Sequence, residues 1–242
     1  MLHEPPRTVI VAIDFAEASD RALEVGHLVA SAFGARLSAV HVASFEAPPY
    51  FTREQIGMLQ AQLEAARGEA TEYLRRYVAE RVPGPVDARV LDGPAVDALL
   101  VAAAGADLML VGTHGRRGPS RWWLGSVAER LVRTASSPVL VTRATTSADP
   151  ATLFAEVQLI GPLRPGAAGW WAATLAARFG GRLEHTPDAT RCSASSLAAA
   201  SLVVAALPAE GDERPLGTPW ARLLLACPRP ILFVPLPAGS LA

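Results

Sequence analysis

The chain contains no lysine; all 22 of its basic residues are arginine. A Schiff-base enzyme, a lysine general base and a Walker-type phosphate loop all need that residue, so those mechanisms are excluded. Charge of either sign is nearly balanced, with a formal net charge of -1, and no basic surface for nucleic acid or an anionic membrane is expected. No run reaches the ~18 consecutive apolar residues of a spanning helix. The first eight residues are polar with two prolines and lack the apolar core of a signal peptide. The chain therefore reads as soluble and cytoplasmic. Cysteine is scarce: Cys192 and Cys227 stand alone in the second half, without metal-ligand spacing, and read as core thiols of a reducing compartment. No cluster of His, Cys and carboxylates suits a metal, and no G-x-S-x-G elbow marks a nucleophile. A binding protein is the default, and no catalytic residue is assigned.

Hydrophobic residues make up 50% of the 242, ample for one large domain or two small ones. In the first half they alternate between strand-length runs and helical spacing. Residues 8–13 (TVIVAI), 36–42, 86–91, 107–111 (DLMLV) and 139–143 read as strands. Between them, residues 19–33, 54–82, 96–104 and 126–134 read as helices, with Gly34 and the Pro83-Gly84-Pro85 break as stops. Strands alternating with helices predict an α/β fold: a doubly wound, mostly parallel five-stranded sheet with helices on both faces. Ligands of such sheets bind beyond the carboxyl ends of the strands, where strand order reverses.

Residues 144–150 (ATTSADP) read as a linker between units at 1–145 and 151–242. Beyond it the pattern recurs in shortened form. Phe33-Gly34-Ala35-Arg36-Leu37 matches Phe179-Gly180-Gly181-Arg182-Leu183 at an offset of 146. Gly125, Ser126, Arg130, Leu131, Pro138 and Leu140 match Gly217, Thr218, Arg222, Leu223, Pro230 and Leu232 at an offset of 92. The drop of 54 (146 minus 92) falls on the long helix and third strand, so the second unit reads as a degenerate, shortened repeat.

The segment richest in chemistry is Gly112-Thr113-His114-Gly115, nine residues (116–124), then Gly125-Ser126. It joins a buried strand to a helix. Glycines there let the backbone approach a ligand, and the helix start offers free N–H groups and a favourable dipole to phosphate. Ser126 adds a hydroxyl donor, and Arg116 and Arg117 add forked donors. A structural alternative stands beside this: Ser126-Val127-Ala128-Glu129 is a capping-box sequence, and glycines after a strand are common turn residues. His114 is placed either to meet a phosphate or simply to fill the loop. Asp14, ending the first strand, is either a polar anchor or a turn residue.

With VAID near the start, His41-Val42 closing the second strand, the full glycine pattern and SVAERLVRTASSPVLVTR at 126–143, the first half resembles the universal stress protein family, within the adenine-nucleotide α-hydrolase-like group. The resemblance covers residues 7–143 well and 156–235 weakly. It implies ATP as ligand, with Ala12, Asp14 and Val42 at the adenosine end and Gly93 closing the side. Gly112, Gly115, Arg116, Gly125, Ser126 and Val127 would hold the phosphates, and Mg²⁺ would be held mainly by the phosphates. It also implies pairing of such domains through their last strands. Residues 230–234 (PILFV) are then the intramolecular partner of 138–141 (PVLV), covering two apolar edges in a pseudo-dimer, with a further homodimer open.

The second copy has no acidic residue matching Asp14, because its first strand runs into Gly161-Pro162. Its counterparts of Gly112 and Gly115 fall near Ala206 and Ala209, and Pro219 removes a donor at the later helix start. Its phosphate site is expected to be lost. Three functions compete: a nucleotide-dependent regulatory or stress-response protein, a slow ATPase or nucleotide-transferring enzyme, and a ligand-free partner-binding module. A phosphoacceptor domain fits less well still, since such domains need an acidic cluster and a lysine, and lysine is absent.

Overall fold

A computed structural model describes residues 4–43, 53–113, 125–161, 166–187, 191–207 and 227–236. The first-half elements are β1 (Thr8–Ala12), α1 (Glu17–Phe33), β2 (Arg36–Ala43), α2 (Arg53–Ala79) and β3 (Asp87–Asp92), followed by α3 (Ala95–Ala103), β4 (Leu108–Gly112), α4 (Ser126–Thr134) and β5 (Val139–Thr142). Then come α5 (Pro150–Leu153), β6 (Glu156–Ile160), α6 (Ala167–Phe179), β7 (Arg182–Thr186), α7 (Ala194–Ala199), β8 (Leu202–Leu207) and β9 (Ile231–Pro235). Among the described residues the strands make one sheet in the order β3-β2-β1-β4-β5-β9-β8-β6-β7. Every neighbouring pair is parallel except β5 and β9.

Side-chain parity sorts the sheet into two cores. Val9, Val11 and Ile13 face α1 and α2, in a cluster that continues through Leu140 and Leu232 to Trp171 and Leu175 of α6. Ile10, Ala12, Met109 and Val111 face the other way, with Leu99 of α3, Leu131 of α4 and Leu197 of α7. Strands buried on both faces are those expected of parallel sheets, and β4 (LMLVG) reads that way throughout.

The β5–β9 seam pairs Val139 with Phe233, Leu140 with Leu232 and Val141 with Ile231. Adding 92 to Leu140 gives Leu232, so the central residue pairs with its own repeat mate. The flanking pairs interchange under the same shift, Val139 mapping to Ile231 and Val141 to Phe233. A self-complementary register of this kind is the property of a two-fold interface.

Helix α1 begins two residues before the predicted Ser19, because the turn ahead of it is built from side chains. The Ala16 N–H donates to Asp14 Oδ1 at 3.1 Å and the Asp14 N–H to Ser19 Oγ at 3.4 Å. Phe15 between them has φ of 61°, a left-handed conformation uncommon for a bulky residue. Both α1 and α6 end at the paired phenylalanines and are stopped by left-handed glycines, Gly34 and Gly180. Yet α1 has 17 residues and α6 has 13, so α6 lacks a turn's worth at its start. Within the predicted linker Thr146 is buried and its Oγ1 accepts the Arg143 N–H at 2.8 Å, and Asp149 caps α5.

Candidate functional site at the β1–β4 switch point

In the order β3-β2-β1-β4-β5, chain direction across the sheet reverses between β1 and β4. The carboxyl ends of these strands sit side by side, with Val11 beside Leu110. Asp14 follows the one end and Gly112 closes the other, so this is where a doubly wound sheet has room for a ligand.

The floor is apolar. Ala12 lies in the core cluster on the α3–α4 face, and Val42, Leu91 and Val127 pack against it half-buried. The rim is polar. Asp14 is half-buried and spends Oδ1 on the Ala16 amide, so it does serve the turn; its other carboxylate oxygen has no hydrogen bond among the described residues. His41, at the end of β2, has Nδ1 2.8 Å from the Ile13 carbonyl, and its ring lies 4.7 Å from Phe15. Phe15 also meets Tyr73 and Tyr77 of α2. Arg81 lies over the Tyr77 ring at 3.6 Å and bonds Asp20 at 2.8 Å, pinning the end of α2 to the first turn of α1. The loop carrying Asp14 is thus braced from behind by aromatic packing.

Opposite Asp14 stands the start of α4. The capping-box alternative does not form: Gly125, not Ser126, is the N-cap, and no side chain caps the helix. Glycine has no side-chain oxygen to offer, so the role passes to backbone geometry alone. The first intrahelical bond runs from the Glu129 N–H to Gly125 O at 2.8 Å, which leaves the amides of Ser126, Val127 and Ala128 ahead of it. Ser126 is exposed. Glu129, the one acid of this first turn, is held by Arg133 at 3.0 Å, which offsets its charge. An uncapped helix start with three amides and the positive end of the dipole suits a phosphate.

Threonines fix this helix start to the sheet. The Thr113 N–H donates to Thr142 O at 2.9 Å, and the Gly125 N–H donates to Thr113 O, so both ends of the glycine segment meet at the tip of β4. Thr142, fully buried, donates its hydroxyl to the Ala18 carbonyl in the first turn of α1 at 2.9 Å. Gly112 completes this clasp: a Cβ there would lie 2.9 Å from Ala18 and from the Ser19 nitrogen. Its bareness is required by helix packing as well as being available to a ligand. Thr113, Thr142 and Phe15 were missed in the sequence; the signal for Thr142 is a lone hydroxyl in an otherwise apolar strand.

Of the predicted residues, Ala12, Asp14, Val42, Gly112, Gly125, Ser126 and Val127 gather at this edge. Gly93 does not join them closely: it follows β3, and β2 stands between β3 and β1. His114, Gly115 and Arg116 lie outside the described residues, as do Ala209, Gly217, Thr218 and Pro219 of the second copy. Among the described residues no group of three or more His, Cys, Asp or Glu is placed to hold a metal ion, and no helix is long and apolar enough to cross a membrane.

The fold is a mostly parallel α/β sheet flanked by helices, with this edge at its switch point, and comparison with known proteins gives the family. Residues 6–143, more than half the chain, match the universal stress protein family, and the chain belongs to it. A universal stress protein of Thermus aquaticus, encoded 3′ of a QAH/OAS sulfhydrylase, is 33% identical over 143 residues, 57% of this chain and 98% of the relative. One from Mycobacterium tuberculosis is 34% identical over 144 residues, again 57% of this chain, but the match spans only 44% of that relative. Two solved structures extend the likeness of fold to nearly the whole chain. A universal stress protein of Archaeoglobus fulgidus covers 95% of it and 98% of its own length, with TM-score 0.64 and 16% identity. A putative one from Pseudomonas aeruginosa covers 96% and 94%, with TM-score 0.61 and 14% identity.

Proposed function

We propose that this chain is a cytoplasmic ATP-binding protein with one nucleotide site per chain, at the β1–β4 switch point, and that occupancy of the site regulates a partner in a stress response. Residues 1–145 form the nucleotide-binding domain, and 151–242 form a shortened, site-free copy that serves as a built-in pairing partner. The observation that carries the reading is the uncapped start of α4 facing a half-free Asp14 across an apolar floor. Phosphates take the amides of Ser126 and Val127, with Gly112, Gly115, Arg116 and Gly125 around them; Ala12, Val42 and Asp14 take the nucleoside. His114 completes the loop beside the phosphates, and Gly93 closes the far side. Mg²⁺ is held mainly through the phosphates.

The second copy supports a single site. Gly112 pairs with Thr142 and Ala206 with Val234, and Thr142 plus 92 is Val234, so Ala206 occupies the place of Gly112. Its methyl fills the space where a Cβ on Gly161 would come within 2.6 Å, and Gly161 adopts a φ of +132°. Where β4 carries a glycine, β8 thus carries a methyl group packed against Gly161. The seam through Leu140 and Leu232 supports the pseudo-dimer, since both sheet edges are consumed in it.

Calorimetric titration of the chain with ATP and Mg²⁺ tests the reading. Binding to the wild type, weakened at least about tenfold in Gly115→Val because a side chain blocks approach to the backbone, is the expected result. Retained nucleotide affinity in that variant would move the site elsewhere. Turnover in the same sample separates a binding protein from a slow ATPase.

A further inference from the structure

Among the described residues, the shortened copy leaves one sheet edge without a neighbouring strand. In the first half β2 is covered by β3 and α2, and Leu37 is 6% exposed. Its repeat mate Leu183, on β7, is 37% exposed, and Arg182 and Glu184 beside it are exposed as well. Among the described residues, β7 pairs only with β6. The Arg182 N–H bonds Ala155 O and the Gly161 N–H bonds Thr186 O, so even-numbered residues of β7 turn their backbone groups inward. Leu183 and His185 therefore turn theirs outward.

Edge strands are ordinarily protected by charge, and the other edge of this sheet is. On β3, Asp87 and Arg89 pair with each other at 2.9 Å, and Arg89 also bonds Ser38. On β7 the charges are not spent in this way. Arg182 reaches Glu156 only at 4.0 Å with its side chain 85% exposed, and Glu184 has no ion pair among the described residues.

We propose that β7 is a homodimerisation edge, pairing antiparallel with β7 of a second copy about an axis at Leu183. That register puts Leu183 opposite Leu183 as a mutually hydrogen-bonded pair. It sets each Arg182 opposite Glu184 of the other copy on the α7 side, and brings the His185 N–H to the Gly181 carbonyl. Sliding the axis to Glu184 would oppose two glutamates, so charge selects one register. The partner is this same chain, because the sequence Arg-Leu-Glu is complementary to itself when reversed. The inference stands apart from the nucleotide reading, since it involves neither β1 nor α4.

Sedimentation equilibrium of the full chain from about 10 µM to 1 mM reads the outcome. A monomer–dimer equilibrium is expected. Arg182→Glu and Glu184→Arg should each raise its Kd by about tenfold, and the double variant, which swaps both charges, should restore it. Leu183→Pro removes an outward N–H that the fold itself does not use, and should abolish dimerisation while circular dichroism shows the fold intact. A wild type that stays monomeric throughout, or a dimer indifferent to the charge reversals and to Leu183→Pro, overturns the assignment.

Discussion

The two ends of the sheet are built on one plan and differ most where a ligand would sit. At the tip of β4, Gly112, Thr142 and the first turn of α1 interlock: the glycine lets the turn approach, and the threonine hydroxyl holds its carbonyl. At the tip of β8 the same places carry Ala206 and Val234, and α6 starts a turn later. With no extra turn to receive, a methyl and an isopropyl group fill the space, and Gly161 yields to the methyl instead. One small change of volume at a strand end thus goes with one helical turn. Core packing leaves little room for intermediate solutions.

This comparison can be broken by substitution. The largest effect is expected at the foot of the second half. Ala35 and Gly181 are repeat mates, but a Cβ on Gly181 would run into the carbonyl oxygen of Phe154. Gly181→Ala should cost about 3 kcal/mol, near the upper end for overpacking, measured by urea unfolding. Next comes Gly112→Ala, which gives the first half the residue of the second. It should lose about 1–3 kcal/mol and weaken ATP, because the neighbouring atoms are backbone and α1 must shift. The reverse change, Ala206→Gly, should cost no more than about 1 kcal/mol. Equal losses at Gly112 and Ala206 would erase the distinction between the halves.

A smaller loss, about 1 kcal/mol, is expected for Thr142→Val, which leaves the Ala18 carbonyl without its hydroxyl donor. Val234→Thr should also destabilise, by burying a hydroxyl where the shortened α6 presents no matching turn. The gentlest probe concerns the thiols. Burial pushes the Cys227 thiol above its ordinary range, keeping it protonated at neutral pH, whereas Cys192 is only half-buried. A maleimide should label Cys192 in the native chain and Cys227 only on unfolding or as pH is raised. Simultaneous labelling of both at neutral pH would contradict the packing of the β9 entrance.

Much of this architecture was legible from the residues. Strand-length apolar runs placed β1, β2, β4 and β5 to within a residue, since strands buried on both faces leave an uninterrupted signal. The Phe-Gly-x-Arg-Leu match located α6 and β7. The site was legible in part. Glycines and Ser126 marked the helix start, but whether Ser126 caps it or begins it stayed open, and the backbone makes Gly125 the N-cap. Capping depends on one pair of dihedral angles, which a capping-box sequence does not determine. The clasp between Thr142 and Ala18 joins residues 124 positions apart, and no local spacing announces it. The aromatic brace behind Asp14 joins Phe15 to Tyr73 and Tyr77, about sixty residues away on α2, and was equally hidden.

The proposed arrangement, one nucleotide site in a chain with a site-free second copy, comes down to a count of bound ATP. Equilibrium dialysis of the full chain against saturating ATP with Mg²⁺ measures it directly. One mole of ATP per mole of chain is predicted, with Asp14→Ala lowering affinity and leaving no second site behind. Two moles per mole would mean that the β6–β8 crevice binds despite Ala206, and none would reduce the uncapped start of α4 to a packing device.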